Sequence, residues 1–237
     1  MSETLDILVF GAHADDAEIG MGGTIIKHVE AGYRVGICDL TFAEMSSNGT
    51  PERRRQEADR AARVIGLAMR SNLGLPDRGL FVTPEHVEAI TAEIRRHSPR
   101  IVFAPYWEDR HPDHVACSKL VEEAVFNAKL RRYLPDQPDV LVNQLYFYFI
   151  NDMGRTDLMV DITAQQEKKE QALLCYRSQF ESATSEPDSV STPLNQGYIE
   201  RVRSRDKLTG QRRLIPYAEG FATRSPFLVD KFMKDSH

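Results

Sequence analysis

A short polar segment near the start of the chain combines one imidazole with two adjacent carboxylates. It spans residues 11–18 (GAHADDAE) and directly follows the apolar run 5–10 (LDILVF). Two neighbouring carboxylates repel each other unless a cation lies beside them, and a metal ion is the simplest such cation. The sequence therefore predicts a metal site at the end of a buried strand.

A second polar segment of similar composition, residues 107–114 (WEDRHPDH), follows the apolar run 101–105 (IVFAP). In open parallel sheets, ligands bind in the crevice beyond the carboxyl ends of the strands. Because both segments follow apolar runs that are typical of such strands, we expect them to meet at one rim. We predict that this rim is the active site.

The ligand types indicate which ion the rim would hold. Histidine and carboxylate ligands without a thiolate suit Zn²⁺ or another divalent ion of its class, and a catalytic site keeps one position open. His13 and Asp16, three residues apart on a turn, can reach one ion, but His111 and His114 cannot both be assumed to be ligands. An uncoordinated carboxylate beside a ligand can act as the base, and Asp15 is the candidate.

Strand-like and helix-like segments alternate four times in the first 130 residues, which predicts a doubly wound, mostly parallel sheet. The predicted strands are 5–10, 34–42, 72–75 and 101–105, and the predicted helices are 20–31, 52–65, 83–97 and 115–131. The fold class is α/β and Rossmann-like, with an irregular C-terminal elaboration. We predict a single domain over 1–237, with an α/β core in 1–134 and cap and edge elements in 135–237.

The last hundred residues are less regular. We predict strands at 140–150 and 158–162, an exposed loop at 182–193, and closing segments at 215–221 and 226–232. Helices are predicted at 163–178, where Thr163 and Gln166 match a capping box, and at 194–208.

Composition excludes several classes of protein. A net charge of −5 over 237 residues does not favour nucleic-acid binding, and no stretch approaches the roughly 20 apolar residues of a membrane span. The first residues lack the basic region of a signal peptide, and the three cysteines are widely spaced. We therefore expect a cytoplasmic protein without nucleic-acid or membrane partners.

The two polar segments also resemble a known family. Residues 12–18 (AHADDAE) are similar to the A-H-P-D-D-x-E signature of the PIG-L/LmbE-like zinc N-deacetylases, and residues 111–114 (HPDH) are similar to its second signature. The likeness extends over most of the chain and looks closest to the bacillithiol-biosynthesis branch, which deacetylates N-acetylglucosaminyl malate. Ala14 replaces the signature's proline, which removes a fixed φ but no functional side chain.

The resemblance implies a role for each matching residue. The implied zinc ligands are His13, Asp16 and His114, with Fe²⁺ as the alternative ion. Asp15 would be the general base, His111 would stabilise the oxyanion and protonate the leaving amine, and Asp113 would orient His111 or another imidazole.

The implied partner is a small amino-sugar substrate, and the chain is expected to form a homo-oligomer, with a hexamer as one expectation. Arg54 and Arg110 are our candidates for binding the carboxylates of a malate aglycone, because planar guanidinium groups match carboxylates. Asp77 could accept hydrogen bonds from sugar hydroxyls, and Tyr198 could reach the site from the last third of the chain.

Two alternatives stay open. Relatives in the same class could act on other N-acetylglucosamine derivatives or on thiol conjugates. A non-catalytic nucleotide- or sugar-binding module is supported only by the fold class and by residues 20–23 (GMGG), which do not match G-x-G-x-x-G after a strand. Close packing of a helix on the sheet explains those glycines better. A pure binding module has no use for Asp15 beside a three-ligand metal site.

Overall fold

The computed structural model describes residues 4–182 and 189–226. The strands are β1 (Ile7–Gly11), β2 (Val35–Thr41), β3 (Met69–Leu75), β4 (Ile101–Pro105), β5 (Gln144–Tyr148), β6 (Leu158–Asp161) and β7 (Ala218–Ala222). The helices are α1 (Asp16–Glu30), α2 (Pro51–Ile65), α3 (Pro84–His97), α4 (Pro112–Ala128), α5 (Gln166–Leu173), α6 (Arg177–Phe180) and α7 (Tyr198–Gln211), with a 3-10 turn at Pro193–Asn195.

All seven strands form one sheet in the order β3-β2-β1-β4-β5-β7-β6. Strands β1 to β5 are parallel, whereas β7 runs antiparallel to both β5 and β6. The fold class predicted from the sequence, an α/β fold with a mostly parallel sheet, is confirmed. The strand order reverses between β1 and β4, so the crevice at a topological switch point lies beyond their carboxyl ends.

Strand β1 is buried along its whole length because helices cover both faces of the sheet. Leu8 and Phe10 belong to one apolar core, which includes residues of α3 and α4. Ile7 and Val9 face the other core, which includes residues of α1, α5 and α7. The period-two alternation of a strand thus anchors β1 in both cores and holds the segment that follows it in place.

Two helices begin earlier than the sequence predicted, and both begin inside the polar segments. Helix α1 starts at Asp16 and α4 starts at Pro112, where we had predicted starts at Gly20 and Val115. Polar residues that have the composition of a loop form the first turns of these helices. Asp15 and His111 are the N-cap residues.

The predicted helix 163–178 is wrong in two respects. It is broken into α5 and α6, and the predicted capping box does not form: Gln165 is the N-cap residue and makes no side-chain cap hydrogen bond. Thr163 instead donates its hydroxyl hydrogen to the carbonyl oxygen of Tyr217, which joins this turn to the segment before β7. A long-range contact therefore replaces the local cap.

Other boundaries moved by a few residues. Strand β3 begins at Met69 instead of residue 72, β5 covers only Gln144–Tyr148, and the last helix begins at Tyr198 after the 3-10 turn. Residues 183–188 of the predicted loop and residues 227–232 of the predicted closing segment lie outside the described residues.

The glycine-rich stretch of α1 permits close packing, as the sequence favoured. A Cβ atom on Gly20 would lie 2.2 Å from the ring of Tyr148, and one on Gly23 would lie 2.8 Å from the side chain of Ile162. Glycine is the residue that tolerates such an approach. Among the described residues, no helix combines the length and the apolar character that crossing a membrane requires.

Candidate metal centre and active site

The loop between β1 and α1 turns sharply at Asp15, whose φ of 111° lies in the left-handed region. A residue other than glycine pays about 1–3 kcal/mol for such a conformation, and this cost is typical of functional sites. The turn is closed by the amide of His13, which donates to Oδ2 of Asp16 at 2.9 Å. The strained turn therefore sets adjacent carboxylates at the switch point between β1 and β4.

The three predicted metal ligands are brought together although His114 is about 100 residues from the others in sequence. Oδ1 of Asp16 lies 3.1 Å from Nε2 of His114, and its Oδ2 lies 3.6 Å from Nδ1 of His13. The carboxylate thus lies between the two imidazoles. Nitrogen atoms of His13, His111 and His114 also lie within 4.8 Å of one another, so geometry alone leaves His111 as an alternative ligand.

Further carboxylates contact the outer nitrogen atoms of the two imidazoles. Nε2 of His13 lies 3.3 Å from Oδ1 of Asp77 and 3.5 Å from Oδ2 of Asp113, and Nδ1 of His114 lies 3.0 Å from Oδ1 of Asp109. Metal-binding histidines commonly contact a carboxylate with the nitrogen that does not bind the metal, which fixes the orientation of the ring. Asp113 therefore contacts His13, the imidazole that the sequence had left open as the alternative to His111.

The charge of this cluster fits a divalent cation. It contains five carboxylates (Asp15, Asp16, Asp77, Asp109 and Asp113), and among the described residues only two guanidinium groups, those of Arg54 and Arg78, form ion pairs with them. Burial lowers the pKa of His114, but Asp16 and Asp109 outweigh it and raise that pKa to about 9. Burial also opposes protonation of His13, yet Asp113, Asp16 and Asp77 hold its pKa well above its ordinary value.

These shifts mean that the carboxylates around the imidazoles attract positive charge, which protons or a metal cation can supply. Burial alone would raise the pKa of Asp16, but His114 and His13 hold it well below its ordinary value, so Asp16 stays ionised. An ionised carboxylate between two imidazoles is a donor set that a divalent metal ion accepts. The rim therefore carries a His/Asp/His cluster of the metal-binding type.

His111 differs from the other two histidines. Its Nδ1 accepts a hydrogen bond from the amide of Asp113 at 3.2 Å, as the N-cap of α4. Burial and the neighbouring His114 lower its pKa, so the ring is neutral at pH 7. Since Nδ1 is an acceptor, the proton of the neutral ring lies on Nε2, which leaves that atom as a hydrogen-bond donor.

Asp15 is the carboxylate whose surroundings suit a base. Burial raises its pKa to about 7, and the guanidinium of Arg54 opposes this rise. Nη2 of Arg54 lies 3.3 Å from Oδ2 of Asp15 and also donates to the carbonyl oxygen of Ala14. A base with a pKa near the working pH is efficient in proton transfer. Arg54 thus holds both the strained turn and the carboxylate at its apex.

The cluster lies in a cavity of about 320 Å³, and the remaining predicted residues are arranged around it. Arg54, Asp77, Arg110 and Tyr198 all line the cavity, whereas Asp113 lies behind His13 and does not. Asp77 also accepts a hydrogen bond from the amide of Met45 at 2.9 Å, so both of its oxygen atoms have protein partners. This geometry favours positioning of His13, and its contact with a sugar stays a prediction.

Tyr198 reaches the cavity from the first turn of α7. Its hydroxyl donates to Oδ1 of Asn151 at 3.0 Å, and burial raises its pKa to about 12. Asn151 in turn donates its side-chain amide to Oδ1 of Asp109 at 2.8 Å. Tyr198 is therefore connected to the outer contacts of His114.

Several residues of the site were not predicted from the sequence. Asp109 accepts hydrogen bonds from the amide of His111 and from Asn151 while it contacts His114. Arg78 holds Asp113 through its amide and its guanidinium, both at 2.9 Å. In the sequence, Glu108 and Asp109 lie shortly before the HPDH segment, and this position could have indicated that Asp109 belongs to the site. Nothing in the sequence distinguished Arg78 or Asn151.

Glu18, the last residue of the first signature, is fully buried beneath the site and has a structural partner set. Its Oε1 accepts hydrogen bonds from Nη1 of Arg70 at 2.6 Å and from the hydroxyl of Tyr176 at 2.7 Å. Arg70 also holds Asp39 at the end of β2 with two hydrogen bonds. Glu18 therefore ties the first turn of α1 to the neighbouring strands.

A strained base, a neutral histidine donor and a metal-type cluster at the switch point of a Rossmann-like sheet define a class of metal-dependent hydrolase. The model of one protein family, described as PIG-L: GlcNAc-PI de-N-acetylase, matches residues 8–125. The chain belongs to this family, and it is an enzyme of the metal-dependent N-deacetylase class that the sequence predicted.

Named relatives within the family differ in what they act on. The chain is 30% identical to the diacetylchitobiose deacetylase of Thermococcus kodakarensis over 90% of this chain and 81% of the relative. It is 27% identical to the probable N-acetyl-alpha-D-glucosaminyl L-malate deacetylase 2 of Bacillus subtilis, over 76% of this chain and 86% of the relative. It is 26% identical to the 4-oxalmesaconate hydratase of Pseudomonas putida, over 73% of each chain.

A solved structure covers nearly the whole chain. The conserved protein TT1542 from Thermus thermophilus is 38% identical, with a TM-score of 0.87 over 98% of this chain and all of that one. The likeness extends well beyond residues 8–125, which places the last third of the chain within the same architecture.

Proposed function

We propose that this protein hydrolyses the acetamide of an N-acetylated amino sugar, most specifically an N-acetylglucosaminyl L-malate, as a step of bacillithiol biosynthesis. The observation that carries the amide hydrolysis is that Asp15 and His111 line the same cavity as the His/Asp/His cluster. Two of the named relatives, a chitobiose deacetylase and a probable glucosaminyl malate deacetylase, act on sugars of this type.

We propose Zn²⁺ as the ion, with Fe²⁺ as the alternative, held by His13, Asp16 and His114. Such an ion, when bound, polarises the acetamide carbonyl and acidifies a water molecule. Asp77, Asp113 and Asp109 fix the orientation of the two imidazoles, because they contact the ring nitrogens that face away from Asp16.

The residues of the chain perform the proton transfers in this proposal. Asp15, held by Arg54, accepts the proton of the attacking water. The Nε2–H of His111 donates a hydrogen bond to the developing oxyanion, and a donor of this kind is worth about 3–4 kcal/mol. Collapse of the tetrahedral intermediate then breaks the C–N bond. The amine leaves with the proton that Asp15 accepted from the attacking water. His111, neutral and with its proton on Nε2, would have to become an imidazolate to supply that proton.

Two arginines that line the catalytic cavity differ in their exposure to solvent. Arg110 lines the cavity and is exposed, whereas Arg54 lines it from a buried position and already holds Asp15. We propose that Arg110 binds the anionic aglycone and that Asp77 and Tyr198 contact the sugar. Because Arg54 already holds Asp15, its contact with the aglycone stays a prediction. We also propose that the protein is cytoplasmic and forms a homo-oligomer of up to six chains. Analytical ultracentrifugation would test the oligomeric state.

The test is acetate release by the zinc-loaded enzyme from N-acetylglucosaminyl malate and from N-acetylglucosamine. We expect a higher kcat/KM for the malate conjugate and no acetate release by Asp15→Asn, which keeps the shape of the side chain but cannot accept the proton. Equal kcat/KM values for the two substrates would remove the case for malate recognition.

One relative in this family is a hydratase, so the assay needs a second arm. Incubation with 4-oxalmesaconate, the substrate named for that relative, should leave the compound unchanged. Hydration of this compound together with a lack of acetate release would replace the proposal by a hydratase function.

A further inference from the structure

A second cavity of about 430 Å³ adjoins the catalytic cavity and has a different electrostatic character. The two cavities share Arg110, Ile150, Asn151 and Tyr198, so they form one continuous depression with Tyr198 and Asn151 at the boundary. We call this second cavity the α7 groove, because Arg201, Val202, Ser204, Arg205 and Leu208 of α7 form its far wall.

The α7 groove is basic. It is lined by Arg110, Arg201 and Arg205 against one carboxylate, that of Asp152, on a chain whose net charge is −5. Arg205 is fixed by hydrogen bonds from its guanidinium to the carbonyl oxygens of Phe149, Ile150 and Ile19.

Two of the three arginines are available to a ligand. Arg110 and Arg201 are exposed, and among the described residues neither guanidinium has a hydrogen-bond or ion-pair partner. Guanidinium groups without protein partners at the edge of a cavity are suited to carboxylates, which they bind through two parallel hydrogen bonds. The exposed apolar side chains of Met153 and Leu208 line the same groove and would contact a short carbon skeleton.

The catalytic cavity itself is unfavourable for the carboxylates of an aglycone. Its base carries the excess of carboxylates described above, and a like charge near them is repelled. Its volume of about 320 Å³ also lies at the lower end of the range for ligand pockets, roughly 300–1,000 Å³. A sugar whose acetamide reaches the metal centre can extend its aglycone past Tyr198 and Asn151 into the α7 groove.

We propose that the α7 groove is the subsite for a carboxylate-bearing aglycone and that Arg201, together with Arg110, determines specificity for the charged substrate. The proposal rests on the deacetylase function proposed above and assigns a new residue and a new cavity to it. Arg201 does not contact the reacting atoms. It binds the charge at the distal end of the substrate.

The test compares Arg201→Gln with wild type and with the control Lys207→Gln. Lys207 is an exposed cation on the same helix that does not line the groove, so its loss makes the same change in net charge. The substrates are N-acetyl-α-D-glucosaminyl L-malate and the neutral methyl N-acetyl-α-D-glucosaminide.

For Arg201→Gln, we expect a rise in KM of about tenfold for the malate conjugate, with kcat almost unchanged. The kinetics of the neutral glycoside should not change, and Lys207→Gln should behave as wild type with both substrates. An equal effect of Arg201→Gln on the two substrates, or no effect on either, would overturn the assignment while acetate release still supports the proposed function.

A calorimetric titration separates the two proposals. Wild type should bind glucosaminyl malate more tightly than methyl glucosaminide, and Arg201→Gln should remove that difference. If the titration shows this result but neither acetylated compound releases acetate, the groove assignment stands and the deacetylase function fails. If the two compounds bind wild type equally, the groove assignment fails.

Discussion

At the scale of single residues, the site works through side chains that each have two partners. His111 is both the N-cap of α4, through Nδ1, and a ring that lines the cavity. Arg54 holds Asp15 and also the backbone carbonyl of the strained turn. A substitution at either residue therefore changes structure and chemistry together. A useful variant has to separate these two effects.

His111→Ala should lower kcat by about two to three orders of magnitude while the metal content stays unchanged, because one oxyanion donor is lost. Steady-state kinetics and metal analysis of the same preparation measure this. His111→Asn is the matched control, since asparagine is a good N-cap residue and preserves the start of α4. We expect Asn to restore stability but not kcat. Loss of metal in the Ala variant would place His111 among the ligands.

Asp157 provides a pH-dependent contact far from the metal centre. Its carboxylate accepts a hydrogen bond from the amide of Thr223 at 3.0 Å and contacts Arg155, and these contacts lower its pKa. A carboxyl whose pKa is lower in the folded state stabilises the protein above its unfolded pKa of about 3.9. That stabilisation disappears as the pH falls through the folded pKa.

Asp157→Asn keeps an acceptor for Thr223 but removes the charge. We expect a loss of about 1 kcal/mol at pH 7, or roughly 2–4 °C in Tm, and a smaller difference from wild type as the pH falls below 4. Thermal unfolding at pH 7, 5 and 3.5 measures this. The exposed Asp136→Asn serves as the control. A difference that persists unchanged at pH 3.5 would contradict the role of the charge.

At the scale of elements, the sequence predicted the sheet well and the ends of the helices less well. The apolar runs that became β1 and β4 are buried on both faces, so their hydrophobicity was a direct signal. The starts of α1 and α4 were misplaced because polar residues at helix N-termini have the composition of loops. Beside the break between α5 and α6, Tyr176 donates to Glu18 and Ser178 donates to Glu57, and local patterns do not contain such long-range contacts.

Arg95 of α3 stabilises the C-terminal end of α4 and the segment that follows it. It is 2% exposed and donates hydrogen bonds to the carbonyl oxygens of five residues: Asn127, Ala128, Leu130, Leu134 and Gln137. Carbonyl groups at a helix C-terminus lack partners within the helix and carry a partial negative charge. The buried cation satisfies several of them at once.

Arg95→Met should destabilise the fold by at least about 3 kcal/mol, because several buried acceptors lose a charged donor. This corresponds to a fall in Tm of roughly 6–12 °C. Differential scanning calorimetry measures it, with the mostly exposed Arg96→Met on the same helix as the control. A fall of less than about 2 °C in Arg95→Met would show that water replaces the guanidinium at these carbonyls.

At the scale of the whole molecule, the candidate site joins segments from the entire chain. His13 and Asp16 follow β1, Asp77 follows β3, His114 lies in α4, and Tyr198 comes from α7. The two histidine motifs could be assigned to one rim from the sequence because parallel strands end at the same edge. The contacts of Asp109, Arg78 and Asn151, and the α7 groove, depend on how distant segments pack and had no comparable signal.

Because the rim gathers mutually repelling carboxylates, the metal ion should contribute to the stability of the whole fold. A ligand present at 1,000 times its Kd stabilises a protein by about 4 kcal/mol, which corresponds to roughly 8–16 °C in Tm for a chain of this size. We therefore expect Tm to fall by this amount after treatment with EDTA and to recover on addition of Zn²⁺. Calcium-saturated EDTA is the control for effects of the chelator itself.

The variant Asp109→Asn distinguishes stabilisation by the bound metal ion from a general loss of stability. It removes the charge that contacts Nδ1 of His114, and changes of this kind weaken metal binding by about 10- to 100-fold. The metal-free forms of wild type and Asp109→Asn should unfold at similar temperatures. The variant loses the contact with His114, but the repulsion among the carboxylates of the rim also decreases. The rise in Tm at a fixed Zn²⁺ concentration should be smaller by roughly 3–11 °C in the variant. An equal rise in both proteins would contradict the role of Asp109 as the outer partner of His114.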